Sequence, residues 1–273
     1  MSKKEIIYKN DLKFSDNFNL HNSEFESDSV KKLYERHKDK PKIEMRITDS
    51  EMENFEYLDL SSLKLNDELL EKLFNLEKIK KILSKIKYLD LSSNELTKYP
   101  NIKAYKNIIY LSLSRNLISG SIFDNNLIEL TCDFNKISKI ESSSITKLSA
   151  NNNELKNINV PSVKVLHINN NKITEIDEYF NLEYLECIEN EISSIKNLFR
   201  LQEIYVANNK LETIENMPNL LILNCVNNPI KKINFFENVK LILTSTPMIS
   251  SRYKVGNITK MKNDYLINMH KNT

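Results

Sequence analysis

One frame, apolar-x-x-apolar-x-apolar-x-x-Asn-x-apolar, recurs through the middle of this 273-residue chain and limits its fold more than any other feature. The first full copies read Ile86-Lys-Tyr-Leu89-Asp-Leu91-Ser-Ser-Asn94-Glu-Leu96 and Ile108-Ile-Tyr-Leu111-Ser-Leu113-Ser-Arg-Asn116-Leu-Ile118. Further copies begin at Leu127, Ile145, Val163, Leu182, Leu201 and Leu220. The starts at 86, 108, 127, 145, 163, 182, 201 and 220 are separated by 22, 19, 18, 18, 19, 19 and 19 residues. Degenerate copies flank them at Phe55 to Leu65 and at Val239 to Ile249, where Leu63 and Pro247 replace the Asn.

Alternation of apolar and polar residues in Leu89-Asp90-Leu91 places the two leucines on one face of a strand and the aspartate on the other. A three-residue strand cannot bury its apolar side alone, so consecutive copies must stack, one strand per repeat, into a parallel sheet of ~9–10 strands. The ninth position is where the chain leaves the strand and bends. An amide there can satisfy backbone groups that the bend would bury unpaired, which predicts a structural ladder of Asn94, Asn116, Asn135, Asn153, Asn171, Asn190, Asn209 and Asn228. After each Asn comes an Ile/Leu-x-x-Ile step such as Ile173-Thr-Glu-Ile176. The few residues that remain in the period are too short for a typical helix, so the convex side is expected to be mostly extended or single-turn 3₁₀. The exception is the first repeat, where Asn66-Asp67-Glu68 caps a stretch with leucine and isoleucine at helical spacing, read as one helix from Asp67 to about Ser84.

These residues resemble the leucine-rich repeat family over roughly residues 55 to 250. The resemblance implies an α/β repeat fold, a leucine-rich repeat solenoid built on a curved parallel sheet with capped ends. The Asn-x-Ile-x-x-Ile frame is similar to the short intracellular class, which includes regulatory subunits that grip a protein phosphatase, although the period of ~19 residues is shorter than is usual in that group. Three regions follow: an N-terminal cap over 1–54, the solenoid over 55–250, and a basic tail or capping helix over 251–273. Within the first, Ile43-Glu-Met45-Arg-Ile47 alternates as a capping strand should, and 23–40 has helical character. In the last, Ile258, Met261, Tyr265 and Met269 share one helical face.

Chemistry is sought and not found. The only glycines, Gly120 and Gly256, are far apart, which excludes a phosphate-cradling loop and the dinucleotide fingerprint. His21, His37, His167 and His270 are dispersed, and Cys132, Cys187 and Cys225 have no metal-ligand spacing. All three cysteines fall at the sixth position, filled elsewhere by Leu91, Leu113, Ile168 and Val206, where a thiol packs as a small hydrophobe rather than a nucleophile. No enzymatic activity, cofactor or small-molecule substrate is therefore expected. With 39 Lys+Arg against 37 Asp+Glu, the net charge of +2 argues against nucleic acid or a membrane surface as partner. No signal peptide or membrane-spanning run is visible, and an odd number of cysteines fits a reducing, intracellular and cytoplasmic setting.

What remains is a surface. Outward strand residues of a solenoid line its concave face, the extended surface used for recognition. Tyr88, Tyr110, Tyr184 and Tyr205, with Arg115, Phe134, His167, Glu186 and Glu189, are the candidate partner-binding residues. Glu183, Glu186, Glu189 and Glu191 together suggest an acidic patch suited to a basic peptide. The expected function is a non-catalytic protein–protein interaction module. Its alternatives are a structural component of a virus particle or cytoskeletal array, and an intracellular pathogen effector without an enzymatic domain.

Overall fold

The computed structural model describes residues 56–233 and 238–245. The expected N-terminal helix and strand at 23–40 and 43–47, and the amphipathic segment at 258–269, lie outside these residues. The chain divides into two compact units, Met1–Ile137 and Ser138–Thr273, and each is a length of parallel-sheet solenoid.

In the first unit the frame's apolar-x-apolar core forms β1 (Tyr57–Asp59), β2 (Tyr88–Asp90), β3 (Tyr110–Ser112) and β5 (Glu129–Thr131), with β4 (Ser119–Phe123) on the opposite side. The pairing is parallel and in register: Leu58 faces Leu89, Leu89 faces Leu111 and Leu111 faces Leu130. These central leucines are fully buried, and the residues flanking them are half-buried on the outer face.

The second unit repeats the scheme with β7 (Lys147–Ser149), β9 (Val165–His167), β11 (Tyr184–Glu186), β13 (Glu203–Tyr205), β15 (Ile222–Asn224) and β17 (Leu241–Leu243). Again like positions pair with like, from Leu148 with Leu166 to Leu223 with Ile242. Its other side is extended. β6 (Lys136–Glu141) pairs β8 (Asn157–Asn159), β10 (Glu175–Ile176) pairs β12 (Ser194–Ile195), and β14 (Thr213–Ile214) pairs β16 (Lys232–Ile233). Both options read from the sequence are found: these short extended pairs, and single turns closed by i→i−3 bonds such as Val163 N to Val160 O (3.0 Å) and Leu182 N to Tyr179 O (3.1 Å).

The helical segment of the first repeat differs from expectation. It is two helices, α1 (Asp67–Phe74) and α2 (Glu77–Leu83), separated by an extended Leu76 (ψ 129°). α1 begins as the sequence indicates, with Asn66 Oδ1 accepting from Leu69 N at 2.9 Å. It buries Leu69, Leu70, Leu73 and Phe74, whereas α2 buries Ile79, Ile82 and Leu83. At 100° per residue those two sets lie roughly 200° apart on an uninterrupted helix. No single helix can turn both toward one core, and the break at Asn75-Leu76 resets the phase.

Seven ninth-position Asn residues, at 94, 116, 135, 171, 190, 209 and 228, tie their own repeat to the one before. Asn116 Oδ1 accepts from Leu96 N (3.0 Å), while its Nδ2 donates to Leu91 O (3.0 Å) and Leu113 O (2.9 Å). Asn94 and Asn135 do the same in the first unit. In the second, Asn171 accepts from Leu155 N (3.0 Å) and donates to Ala150 O (2.9 Å) and Ile168 O (3.1 Å), a pattern shared by Asn190, Asn209 and Asn228. Asn153 donates to Ala150 O and Asn151 O. All eight are buried, and no buried side-chain nitrogen or oxygen among the described residues lacks a partner.

A second set of bonds, missed in the frame above, comes from the residue just before five of the copies. Asn107 donates to Ser84 O, and Asn126 to Lys106 O (3.1 Å) and Ile108 O (2.7 Å). In the second unit Ser162 donates to Ser143 O (2.7 Å), Asn219 to Phe199 O (2.7 Å) and Asn238 to Pro218 O (3.2 Å). These residues are exposed or half-buried, so water competes for the same carbonyls and each bond contributes less than a buried one. Replacing Asn171 with Ala leaves the buried Leu155 N–H without its partner, while Ala150 O and Ile168 O keep only the bonds from Asn153 and Asn190, and urea unfolding is expected to show a loss of about 1–3 kcal/mol. Asn219→Ala, in the exposed set, is expected to lose well under half of that.

Candidate recognition surface

In-register stacking turns the third and fifth positions of each strand into columns across the open face of the sheet. In the first unit the third-position column is Tyr57, Tyr88 and Tyr110. Their rings lie 4.9 Å (Tyr57 to Tyr88, tilted by 36°) and 5.6 Å (Tyr88 to Tyr110, stacked at 19°) apart. Tyr57 stands in the degenerate first copy, yet it is the first rung. Its hydroxyl donates to Asp90 Oδ2 at 3.3 Å, and burial, with the Asp90 and Asp59 carboxylates beside it, pushes the phenol well above its ordinary value.

Arg115 and Phe134, at the eighth position of successive repeats, also meet: the guanidinium sits 4.8 Å from the ring centroid. Cation–π contacts at exposed sites contribute about 0.5–1 kcal/mol.

In the second unit the structure brings together His167, Tyr184, Glu186 and Tyr205. His167 Nδ1 lies 2.8 Å from Glu186 Oε2, and the Tyr184 ring lies 5.2 Å from His167 and 5.7 Å from Tyr205. The Tyr205 hydroxyl donates to Glu203 Oε2 at 3.1 Å, and burial, reinforced by Glu203 and Glu186, pushes its phenol up to about 12.

The four glutamates expected to form one acidic patch do not all gather there. Glu186 is on the open face, half-buried against His167. Glu191 is bound by Lys210 at 2.7 Å, which holds its carboxyl below the usual range. Glu183 lines a shallow cavity of about 250 Å³ with Arg200, Gln202, Asn219 and Leu221, below the ~300–1,000 Å³ of small-molecule sites. Glu189 occupies the eighth position, exposed.

That eighth position has a backbone constraint invisible in the apolar frame. Ser93, Arg115 and Phe134 in the first unit, and Asn152, Asn170, Glu189, Asn208 and Asn227 in the second, all have φ between 54° and 59°. Left-handed backbone disfavours most L-residues but is tolerated by Asn. Where Asn is present it adds amide-to-amide bonds, Asn170 to Asn152 (2.7 Å) and Asn227 to Asn208 (2.8 Å).

Two exposed aromatics escaped the sequence reading. Phe180 and Phe199, 53% and 46% exposed, stack in parallel at 6.4 Å on the turns before β11 and β13. Their 19-residue separation, two positions ahead of the frame, was the available signal.

Cys132, Cys187 and Cys225 form no disulfide and are fully buried at the sixth position. Burial pushes all three thiols up, Cys225 to about 11 even though a hydrogen bond with Thr244 pulls the other way. Among the described residues no group of three or more His, Cys, Asp or Glu side chains is placed to hold a metal, and no helix is long and apolar enough to cross a membrane.

No protein-family model matches the chain, and no curated protein does. Solved structures do. The TLR13–ssRNA13 complex matches with a TM-score of 0.54 at 16% identity, over 70% of this chain and 36% of that one. The functional domain of InlJ from Listeria monocytogenes, which includes a cysteine ladder, matches at 0.53 and 22%, over 71% and 45%. An octameric complex of Latrophilin 3, Unc5D and FLRT2 (LRR) matches at 0.51 and 19%, over 70% and 74%. The chain thus spans 36% and 45% of the first two proteins. Its fold is that of a leucine-rich repeat solenoid. Within the second unit Val206 separates Cys187 from Cys225, so these two do not stand on neighbouring rungs.

Native-state labelling with a thiol reagent should modify fewer than about one thiol in ten over the period in which all three react in urea. Glu189→Asn supplies the residue type that tolerates the left-handed turn and places an amide between Asn170 and Asn208. Chemical denaturation is expected to show a gain of about 1 kcal/mol.

Proposed function

We propose that this chain is a non-catalytic recognition module that binds another protein across the open face of its parallel sheet. The observation that carries this reading is the pair of half-exposed aromatic ladders, Tyr57–Tyr88–Tyr110 stacked in register in one unit and His167–Tyr184–Tyr205 meeting diagonally between the fifth and third positions in the other. A tyrosine presents large contact area with only two side-chain torsions, so fixing it costs little entropy. Here neighbouring rings and the hydroxyl bonds to Asp90 and Glu203 already restrict those torsions before any partner arrives. The LRR neighbour FLRT2 was solved within a protein complex, which supports a protein as the partner class. Buried thiols that form no disulfide accord with work in a reducing compartment.

The test is affinity capture from native lysate with wild type and a Tyr88→Ala, Tyr110→Ala, Tyr184→Ala, Tyr205→Ala variant, after circular dichroism and thermal melting show that both fold. The expected outcome is a protein retained by the wild type and lost by the variant. Recovery of the same proteins with both baits would reject the open face as the site.

A further inference from the structure

The register that stacks tyrosines in the first unit also stacks carboxylates. Asp59 on β1 pairs with Asp90 on β2 at the fifth position, two like charges on neighbouring strands that lie about 4.8 Å apart. Both are half-buried. Asp59 Oδ1 accepts from Ser61 N and Asp90 Oδ1 from Ser92 N, each at 2.8 Å, so each carboxylate is fixed in place by its own turn. No Lys, Arg or His among the described residues pairs with either. The third and fifth positions of β1 and β2 hold two carboxylates, Asp59 and Asp90, and no base, a local charge of −2 on a chain whose net charge is +2. Two nearby cations are engaged elsewhere, Lys87 by Glu56 at 2.8 Å and Arg115 over the Phe134 ring.

Resting on the recognition reading above, we propose that the partner of this face is a protein segment that presents arginine, its guanidinium stacked on the Tyr57–Tyr88–Tyr110 ladder and its N–H groups directed at Asp59 and Asp90. The chemistry selects this occupant in three steps. The π faces of a tyrosine column attract a cation, and a planar guanidinium covers a ring while keeping its donors free at the edge. Two carboxylates side by side match the fork of five N–H donors better than they match a compact ammonium, so arginine is favoured over lysine. The face repels phosphate, so a nucleic-acid backbone does not suit it.

The probe is a fluorescein-labelled nonapeptide of alternating Arg and Gly, followed by anisotropy with the full-length chain, beside the same peptide built with Lys or with Glu in place of Arg. Saturable binding of the Arg peptide is expected, weaker binding of the Lys peptide and none of the Glu peptide, with the affinity falling between about 50 and 300 mM salt. Asp59→Asn with Asp90→Asn keeps the acceptor oxygens that cap Ser61 and Ser92 and relieves the like-charge pair while giving up the Tyr57 hydroxyl's bond to Asp90 Oδ2, and is expected to melt within a few degrees of wild type while losing about tenfold in Arg-peptide affinity. Tyr88→Ala with Tyr110→Ala is expected to lose a similar factor. The proposal is overturned if the Arg peptide fails to saturate the wild type, if Lys and Arg peptides bind alike, or if the double Asn variant binds as tightly as wild type. A lysate partner lost by the tyrosine variant but kept by the double Asn variant would overturn this assignment and leave the recognition reading standing.

Discussion

Every repeat of this chain leaves its strand after three residues, and the turn that follows would strand peptide groups in a dry interior. The ninth-position asparagine prevents this. One amide has an acceptor and two donor hydrogens, and Asn116 and Asn171 use both kinds at once, accepting a backbone N–H of the preceding repeat and donating to carbonyls of both. A leucine could fill the space but would leave the backbone N–H unpaired, a penalty of ~1–3 kcal/mol when buried, and would halve the bonds to two carbonyls that neighbouring ladder Asn residues share. The rest depends on this bond set: because it links residue for residue between neighbours, it fixes the register, and the register decides which outer side chains meet.

Much of the fold was legible because its constraints are local and periodic. Alternation gave the strand, the ninth Asn gave the turn, and short spacing excluded helices from most repeats. The first repeat shows where periodicity read too coarsely fails. Apolar spacing across Asp67–Ser84 is helical on either side of Asn75, but the stripe of Leu69, Leu70 and Leu73 and that of Ile79, Ile82 and Leu83 point to opposite sides of one helix. Spacing alone looked continuous, and only the phase carried the break. The set of bonds from Asn107, Asn126, Asn219 and Asn238 was equally periodic, but lay outside the apolar frame used to align the copies.

The candidate surface was legible by position and opaque by partner. Strand parity put Tyr88, Tyr110, Tyr184 and Tyr205 on one face, yet nothing in a linear frame says that Glu191 is engaged by Lys210 or that Glu183 lines a separate hollow, because those contacts depend on side chains reaching across repeats. The left-handed turn was hidden for another reason. Asn at 152, 170, 208 and 227 looks like more of the same polar composition until φ shows that the position selects for it, while Arg115, Phe134 and Glu189 are held there against backbone preference.

Register has one more effect, a matter of commensurability. Rungs of a parallel sheet recur about every 4.8 Å, whereas an extended peptide advances about 3.4 Å per residue and repeats its side-chain direction only every second residue. Laid along the stacking axis, such a peptide drifts against the rungs like the scale of a vernier, aligned over a short span and out of step beyond it. Both aromatic runs here span three rungs, the in-register column Tyr57–Tyr88–Tyr110 and the zigzag His167–Tyr184–Tyr205, a span that two or three residues of an extended chain can follow before the scales part. The same stacking that makes the fold extensible thus divides its surface into short words rather than one continuous line.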